Sequence, residues 1–183
     1  MKISTKTIVT VGMFTAVLAV LSILQIPMPT GVPITLQTFA MALCGYVLGW
    51  QSGVAATLLY IVLGTVGVPI FAGMSAGPGV LFGYTGGFIF GFIFLTLLCG
   101  ISVRRKNPAV KIILRVIGLL ICHLLGAVQY AVLAHITIGA SLVAVSLPYI
   151  VKDVISVVGA YLVAIAVRKA LYAGNILQDA KAA

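Results

Sequence analysis

The dipeptide Lys152-Asp153 stands between the apolar runs SLPYIV and VISVVGAYLVAIAV, in a chain with only 2 acidic residues among 183. A carboxylate accepts hydrogen bonds and an ammonium donates up to three, so the pair could read a polar ligand that carries both donors and acceptors. Ionisable groups inside an apolar segment are costly and mark a site or a path where they are kept. The same two residues also suit an interface, with Lys152 snorkelling and Asp153 near the positive end of a helix. Successive helix positions diverge by about 100°, so one face cannot present both equally.

Other polar side chains are sparse. PMPTGVPITLQTF, residues 27–39, sets Thr35 and Gln37 at the start of an apolar run. Thr35 suits helix capping, whereas the Gln37 amide can donate and accept toward a ligand. Gln129 and Tyr130 lie between His123 and His135 and could line one cavity with Asp153. The two histidines are too far apart to share a metal across one helical turn, and they read as packing residues. In FAGMSAGPGVLFGYTGG, residues 71–87, Phe71 and Tyr84 could wall an apolar pocket with a polar rim. Gly83, Gly87 and Gly91 recur every four residues, a helix-packing pattern.

Catalytic chemistry finds no support. There is no paired-carboxylate set, no HExxH, no G-x-S-x-G and no phosphate-binding loop. Cys44, Cys99 and Cys122 have neither metal nor disulfide spacing and read as small buried side chains. Asp179 falls in a polar tail. No metal and no cofactor is expected.

The elements that must position these residues follow from composition. With 62% hydrophobic and 7% charged residues and a mean hydropathy of +1.28, the chain reads as an integral membrane protein in a lipid bilayer. Its net charge of +9 is scattered between apolar runs, which argues against nucleic acid. The expectation is an all-α membrane protein, one domain over residues 1–183, with six transmembrane helices. They run from about Thr7 to Ile26, Leu36 to Leu48 or Trp50, Val54 to Val66, Val80 or Phe88 to Val103, Ile112 to Ile136, and Tyr149 to Val167. Gln51 to Gly53 forms the turn between the second and third. The first is read as a retained helix, since no clear small-x-small cleavage site follows it.

Lys2 and Lys6, then Arg104, Arg105, Lys106, Lys111 and Arg115, then Arg168, Lys169 and Lys181 all fall on one side of that arrangement. Both termini are therefore expected in the cytoplasm. Lys152 is the exception and lies near the outer end of the sixth span. Gly12 and Ala16, with Ala19 near the same face, form a small-residue stripe suited to close helix approach, within the bundle or on a partner.

Taken in order, VPITLQTF (residues 32–39), LGTVGVPIFAG (63–73), GVLFGYTGGFIFGF (79–92) and LPYIVKD (147–153) resemble the BioY family. Members of that family are the biotin-binding S-components of energy-coupling factor (ECF) transporters. The resemblance spans nearly the whole chain. It implies an S-component-like bundle in a prokaryotic plasma membrane that captures biotin for ATP-driven uptake. It also implies partnership with a transmembrane coupling subunit and two cytoplasmic ATPases, docked on Gly12, Ala16 and Ala19. The substrate-binding set would be Thr35, Gln37, Phe71, Tyr84, Gln129, Tyr130, Lys152, Asp153 and Ser156. Two positions depart from the family pattern: Ser156 stands where members carry a lysine, that charge here preceding Asp153 as Lys152, and Tyr84 stands where many carry proline. A carrier for another vitamin-like solute is the alternative, with a membrane-embedded enzyme behind it.

Biotin would suit these groups chemically. Its ureido ring offers N–H donors that Asp153 can accept from and a polar edge for Gln37 or Thr35, its rings and chain are apolar, and its tail is a carboxylate that Lys152 would meet unless it stays at the interface.

Overall fold

Pro27, Pro29 and Gly31 end the first apolar run, because proline removes a backbone donor and glycine relaxes φ. The computed structural model describes residues 4–174 and Ile176, with α1 at Thr5–Ile23 capped by Ser4, whose hydroxyl accepts from Thr7 N at 3.2 Å. Lys2, Asp179 and Lys181 lie outside the described residues. After α1 the chain forms a short antiparallel ribbon of β1 (Gln25–Ile26) and β2 (Ile34–Thr35), with Gln25 paired to Thr35. The fold is thus nearly, rather than wholly, helical.

The helix α2 covers Gln37–Thr65, but Gly49 sits within it at φ 76°, outside helical geometry. Cross-contacts show a reversal there. Gln37 Nε2 donates to Tyr60 Oη at 3.0 Å, the Thr57 hydroxyl lies 3.7 Å from Met41 Sδ, and Cys44 Sγ lies 3.7 Å from the Gly53 carbonyl. Each step forward on one arm is met by a step back on the other, so residues 37–48 and 50–65 form an antiparallel helical hairpin. Its bend lies at Gly49, two residues before the expected Gln51 to Gly53 turn. Gly49 serves there because φ near +76° penalises any residue with a Cβ.

A turn of 3₁₀ helix at Ala72–Met74 and the short α3 at Pro78–Leu81 lead into α4 (Gly86–Val103) and α5 (Pro108–Ala134). The helix α6 (Ile138–Val145), which periodicity did not signal, precedes α7 (Leu147–Ala173). Among the described residues five helices, α1, α2, α4, α5 and α7, are long and apolar enough to cross a membrane.

Glycine sets the closest approach. An added Cβ at Gly91 would lie 2.6 Å from Cys122 Cα, and one at Gly87 would strike the Leu125 backbone, so both let α4 press on α5. Gly83 instead lies in the turn before α4, against the Gly79 carbonyl. The stripe on α1 behaves differently from intrachain packing: a Cβ at Gly12 would meet nothing within 4 Å and Ala16 is exposed, while Ala19 packs against the core.

One end of the bundle gathers the basic side chains. The Arg115 guanidinium lies 3.9 Å from the Tyr161 ring centroid and 4.9 Å from that of Tyr46, and Arg168 donates to the Tyr46 carbonyl at 2.9 Å, close to the Gly49 bend. The opposite end carries the β1–β2 ribbon, the 66–85 segment and α6.

Candidate functional site

At that opposite end, Asp153 projects from the second turn of α7 into the protein and is 6% exposed. Its Oδ2 lies 3.2 Å from Nε2 of His123 on α5. Its Oδ1 is buried and faces the Lys152 ammonium as an ion pair. Lys152 avoids the 100° divergence of neighbouring helix positions by folding its flexible chain back, where Nζ donates to the Thr35 carbonyl at 3.1 Å. The Lys152 side chain is 29% exposed and reaches both Asp153 and the ribbon.

These groups line a narrow cavity of about 40 Å³, room for a few waters. Its polar side comes from Thr35, Gln37, Thr38, Lys152 and Asp153, and its apolar walls include Phe88, Phe92 and Tyr149. Phe88 can lie against α5 because Gly126 has no side chain beneath the ring. Tyr149 fixes the neighbouring loop by donating to the Val32 carbonyl at 2.6 Å.

A second cavity, about 210 Å³, lies on the other side of Pro33, Gln37 and Thr85, which line both. Phe71 lines this second space together with Gln25 and Ser75. Its ring stands edge-on to Tyr60 at 5.4 Å between centroids and lies against the bare Cα of Gly64.

Thr35 serves the expected capping role from one residue before the N-cap position, which Leu36 occupies: its hydroxyl accepts from Gln37 N, the first amide of α2, at 3.3 Å and donates to Gln37 Oε1 at 3.1 Å. Gln37 in turn donates to Tyr60, so the amide is held at both ends.

Three expected site residues support the wall from outside the two cavities. Gln129 Nε2 donates to the carbonyls of Leu81 and Gly83 at 2.8 and 2.7 Å, pinning the segment before α4. Tyr84, 44% exposed, packs on Tyr130 with ring centroids 5.1 Å apart. Tyr130 also packs against the small cluster of Val32, Val145 and Tyr149. Neither Gln129 nor Tyr130 lines a cavity with Asp153, since Gln129 is spent on backbone carbonyls and Tyr130 on that cluster. Ser156 is buried one turn beyond Asp153 and lines neither cavity.

The residue that sequence reasoning missed is His123. By sequence it reads as a packing side chain, since nothing in its spacing points to an acid thirty positions on. Among the described residues no group of three metal-ligating side chains exists.

The family model of the BioY family matches residues 1–173. The biotin transporter BioY of Thermotoga maritima is 34% identical over 165 residues, 90% of this chain and 96% of that protein. The biotin transporter BioY of Rhodobacter capsulatus is 32% identical over 174 residues, 87% of this chain and 91% of that protein. The fold matches the crystal structure of the S-component for biotin from an ECF-type ABC transporter, with a TM-score of 0.80 at 24% identity, covering 92% of this chain and 95% of that one. Matched along nearly its full length by the family model, and built from helices long and apolar enough to cross a membrane, the chain belongs to the BioY family.

Proposed function

We propose that this protein captures biotin as the substrate-binding S-component of an ECF-type transporter, and that it is not an enzyme. The observation that carries the reading is the buried Asp153 carboxylate, which lines the cavity with the Lys152 ammonium as its ion-pair partner. A carboxylate oxygen has room for more than one donor, so Oδ1 can accept from a ligand as well. A ureido N–H is such a donor, and the Lys152 ammonium beside it supplies a donor for the ureido carbonyl. Lys152 and Asp153 together carry no net charge, which suits an uncharged head group. Phe88 and Phe92 would cover the ring, while the acid tail would run past Gln37 toward the larger space beside Phe71. Ser156, Gln129, Tyr130 and Tyr84 would act by supporting those walls.

Both cavities together fall short of the roughly 300 Å³ or more that small-molecule sites offer. Entry of biotin therefore requires the wall of Pro33, Gln37 and Thr85 to move, which the loop end of the bundle is placed to allow.

In this reading residues 1–183 act as one integral membrane unit in a prokaryotic plasma membrane. The two arms of α2 count as separate crossings, giving six, with both termini and the arginine-rich end in the cytoplasm. The site then opens outward. The partners are a transmembrane coupling subunit, which meets the open face at Gly12 and Ala16 with Ala19 at its edge, and two cytoplasmic ATPases.

Biotin titration of the purified protein tests the proposal. Wild type should bind saturably, Asp153→Asn should lose about tenfold to a hundredfold, the worth of a hydrogen bond to a charged group, and Lys152→Ala should also weaken. Unchanged affinity in both variants would refute the site.

A further inference from the structure

We infer that His123 is the positioning residue for the Asp153 carboxylate, fixing which of its oxygens meets the ligand; this rests on the biotin reading above. A carboxylate on a single Cβ turns about a broad, roughly two-fold torsion, so its plane must be set by its neighbours. Lys152 pairs with Oδ1 from a flexible, 29% exposed side chain, so it engages that oxygen without fixing the carboxylate plane. His123 can fix it: Nε2 lies 3.2 Å from Oδ2, and the two side chains are 5% and 8% exposed. With Oδ2 occupied, Oδ1 is the oxygen presented to the cavity.

The imidazole itself is held and lies behind the acid. It stands edge-on to Phe88, with ring centroids 6.1 Å apart, and does not line the cavity. Its other nitrogen, Nδ1, is buried with no hydrogen-bond partner among the described residues. With a proton on Nε2, that nitrogen donates to Asp153, and Nδ1 is left as a bare acceptor rather than a stranded donor. The arrangement parallels the outer-shell partners that orient ligand-bearing groups elsewhere, where the supporting residue acts only through the one it holds.

That last property defines the test. Biotin is titrated against wild type, His123→Leu, His123→Asn, His123→Gln, Asp153→Asn and the double variant His123→Leu/Asp153→Asn. Gln places its amide nitrogen near the position of Nε2, whereas Asn reaches only as far as Nδ1. Leu and Asn should weaken binding about tenfold, the lower range for a charge-assisted bond, and Gln should restore it to within about threefold. In the Asp153→Asn background, His123→Leu should add nothing. A ¹⁵N spectrum of the unliganded wild type should show His123 protonated at Nε2 and bare at Nδ1. Wild-type affinity in the Asn variant, an undiminished His123→Leu effect without Asp153, or the opposite tautomer would each overturn the inference. If wild type fails to bind biotin, the substrate reading falls instead, and the ¹⁵N signal still decides whether His123 donates to Asp153.

Discussion

Gln37 and Tyr60 join the two arms of the α2 hairpin through a 3.0 Å hydrogen bond at the wall between the two cavities. The contact belongs to a chain: Thr35 Oγ1 donates to Gln37 Oε1, Gln37 Nε2 donates to Tyr60 Oη, and Tyr60 Oη donates to the Ile70 carbonyl at 3.3 Å. Through it the ribbon, the hairpin and the 66–85 segment share one polar seam. Because Gln37 lines both cavities, the seam sets where a ligand's polar edge would meet protein.

Replacing Tyr60 by Phe keeps the ring against Phe71 but removes the acceptor of Gln37 and the donor to Ile70. The released amide is buried, so the cost is that of an unmade hydrogen bond, about 1–3 kcal/mol. Thermal unfolding in detergent should fall accordingly, and biotin affinity should weaken several-fold by calorimetry. Retained affinity would separate the seam from ligand binding.

The helices were legible because apolar runs and Pro-Gly breaks act locally, but not all their ends: α5 begins at Pro108 rather than Ile112, and α7 continues to Ala173 rather than Val167. The wall residues Thr35 and Gln37 and the charged pair were legible too, since any polar group inside an apolar segment is conspicuous. What periodicity missed depends on tertiary contact. The bend of α2 falls at Gly49, where φ is 76°, rather than at the more polar Gln51 to Gly53, and the bare Gly100 lets α4 meet the backbone of Gly49 and Trp50 there. The strand pair around Pro27 to Pro33 is too short to show alternation, and α6 is only one short apolar stretch. The partnership of His123 with Asp153 joins two helices and leaves no mark on either one alone.

The contact of Gly91 with α5 leads to a prediction of stability rather than binding. A methyl group added there would lie 2.6 Å from Cys122 Cα and 3.1 Å from Cys122 Cβ, so the helices must separate. Overpacking of this kind costs about 1–3 kcal/mol. Gly91→Ala should lower the unfolding midpoint, and Gly83→Ala, in a turn at φ outside the positive region, should lower it less. Equal losses would show that α4 and α5 do not rely on the Gly91 contact.

At the basic end, Arg115 stacks on Tyr161 and Tyr46 and donates from Nε to Ser102 Oγ at 3.2 Å. A planar guanidinium can do both, whereas an ammonium cannot lie flat on a ring. Arg115→Lys should therefore destabilise the protein nearly as much as Arg115→Ala, by about 1–2 kcal/mol for the desolvated stack. Unfolding midpoints of the two variants check this, and a lysine variant equal to wild type would reduce Arg115 to a simple positive charge.

The α1 stripe gives the test that separates binding from energised uptake. Space beside Gly12 is open, with nothing within 4 Å of an added Cβ, and Ala16 is exposed on the same face. A leucine at either position consequently disturbs no contact of the bundle, and surface changes of this type are usually worth under about 0.5 kcal/mol. Folding and biotin affinity should therefore survive Gly12→Leu and Ala16→Leu. A helix of the coupling subunit packed on that stripe would instead be pushed away, because close approach depends on small residues. Co-purification with the coupling module and ATP-dependent biotin uptake should fall sharply while binding to the isolated protein is unchanged. Full assembly with both leucines present would move the docking face elsewhere, and loss of binding together with assembly would place the stripe inside the folded bundle.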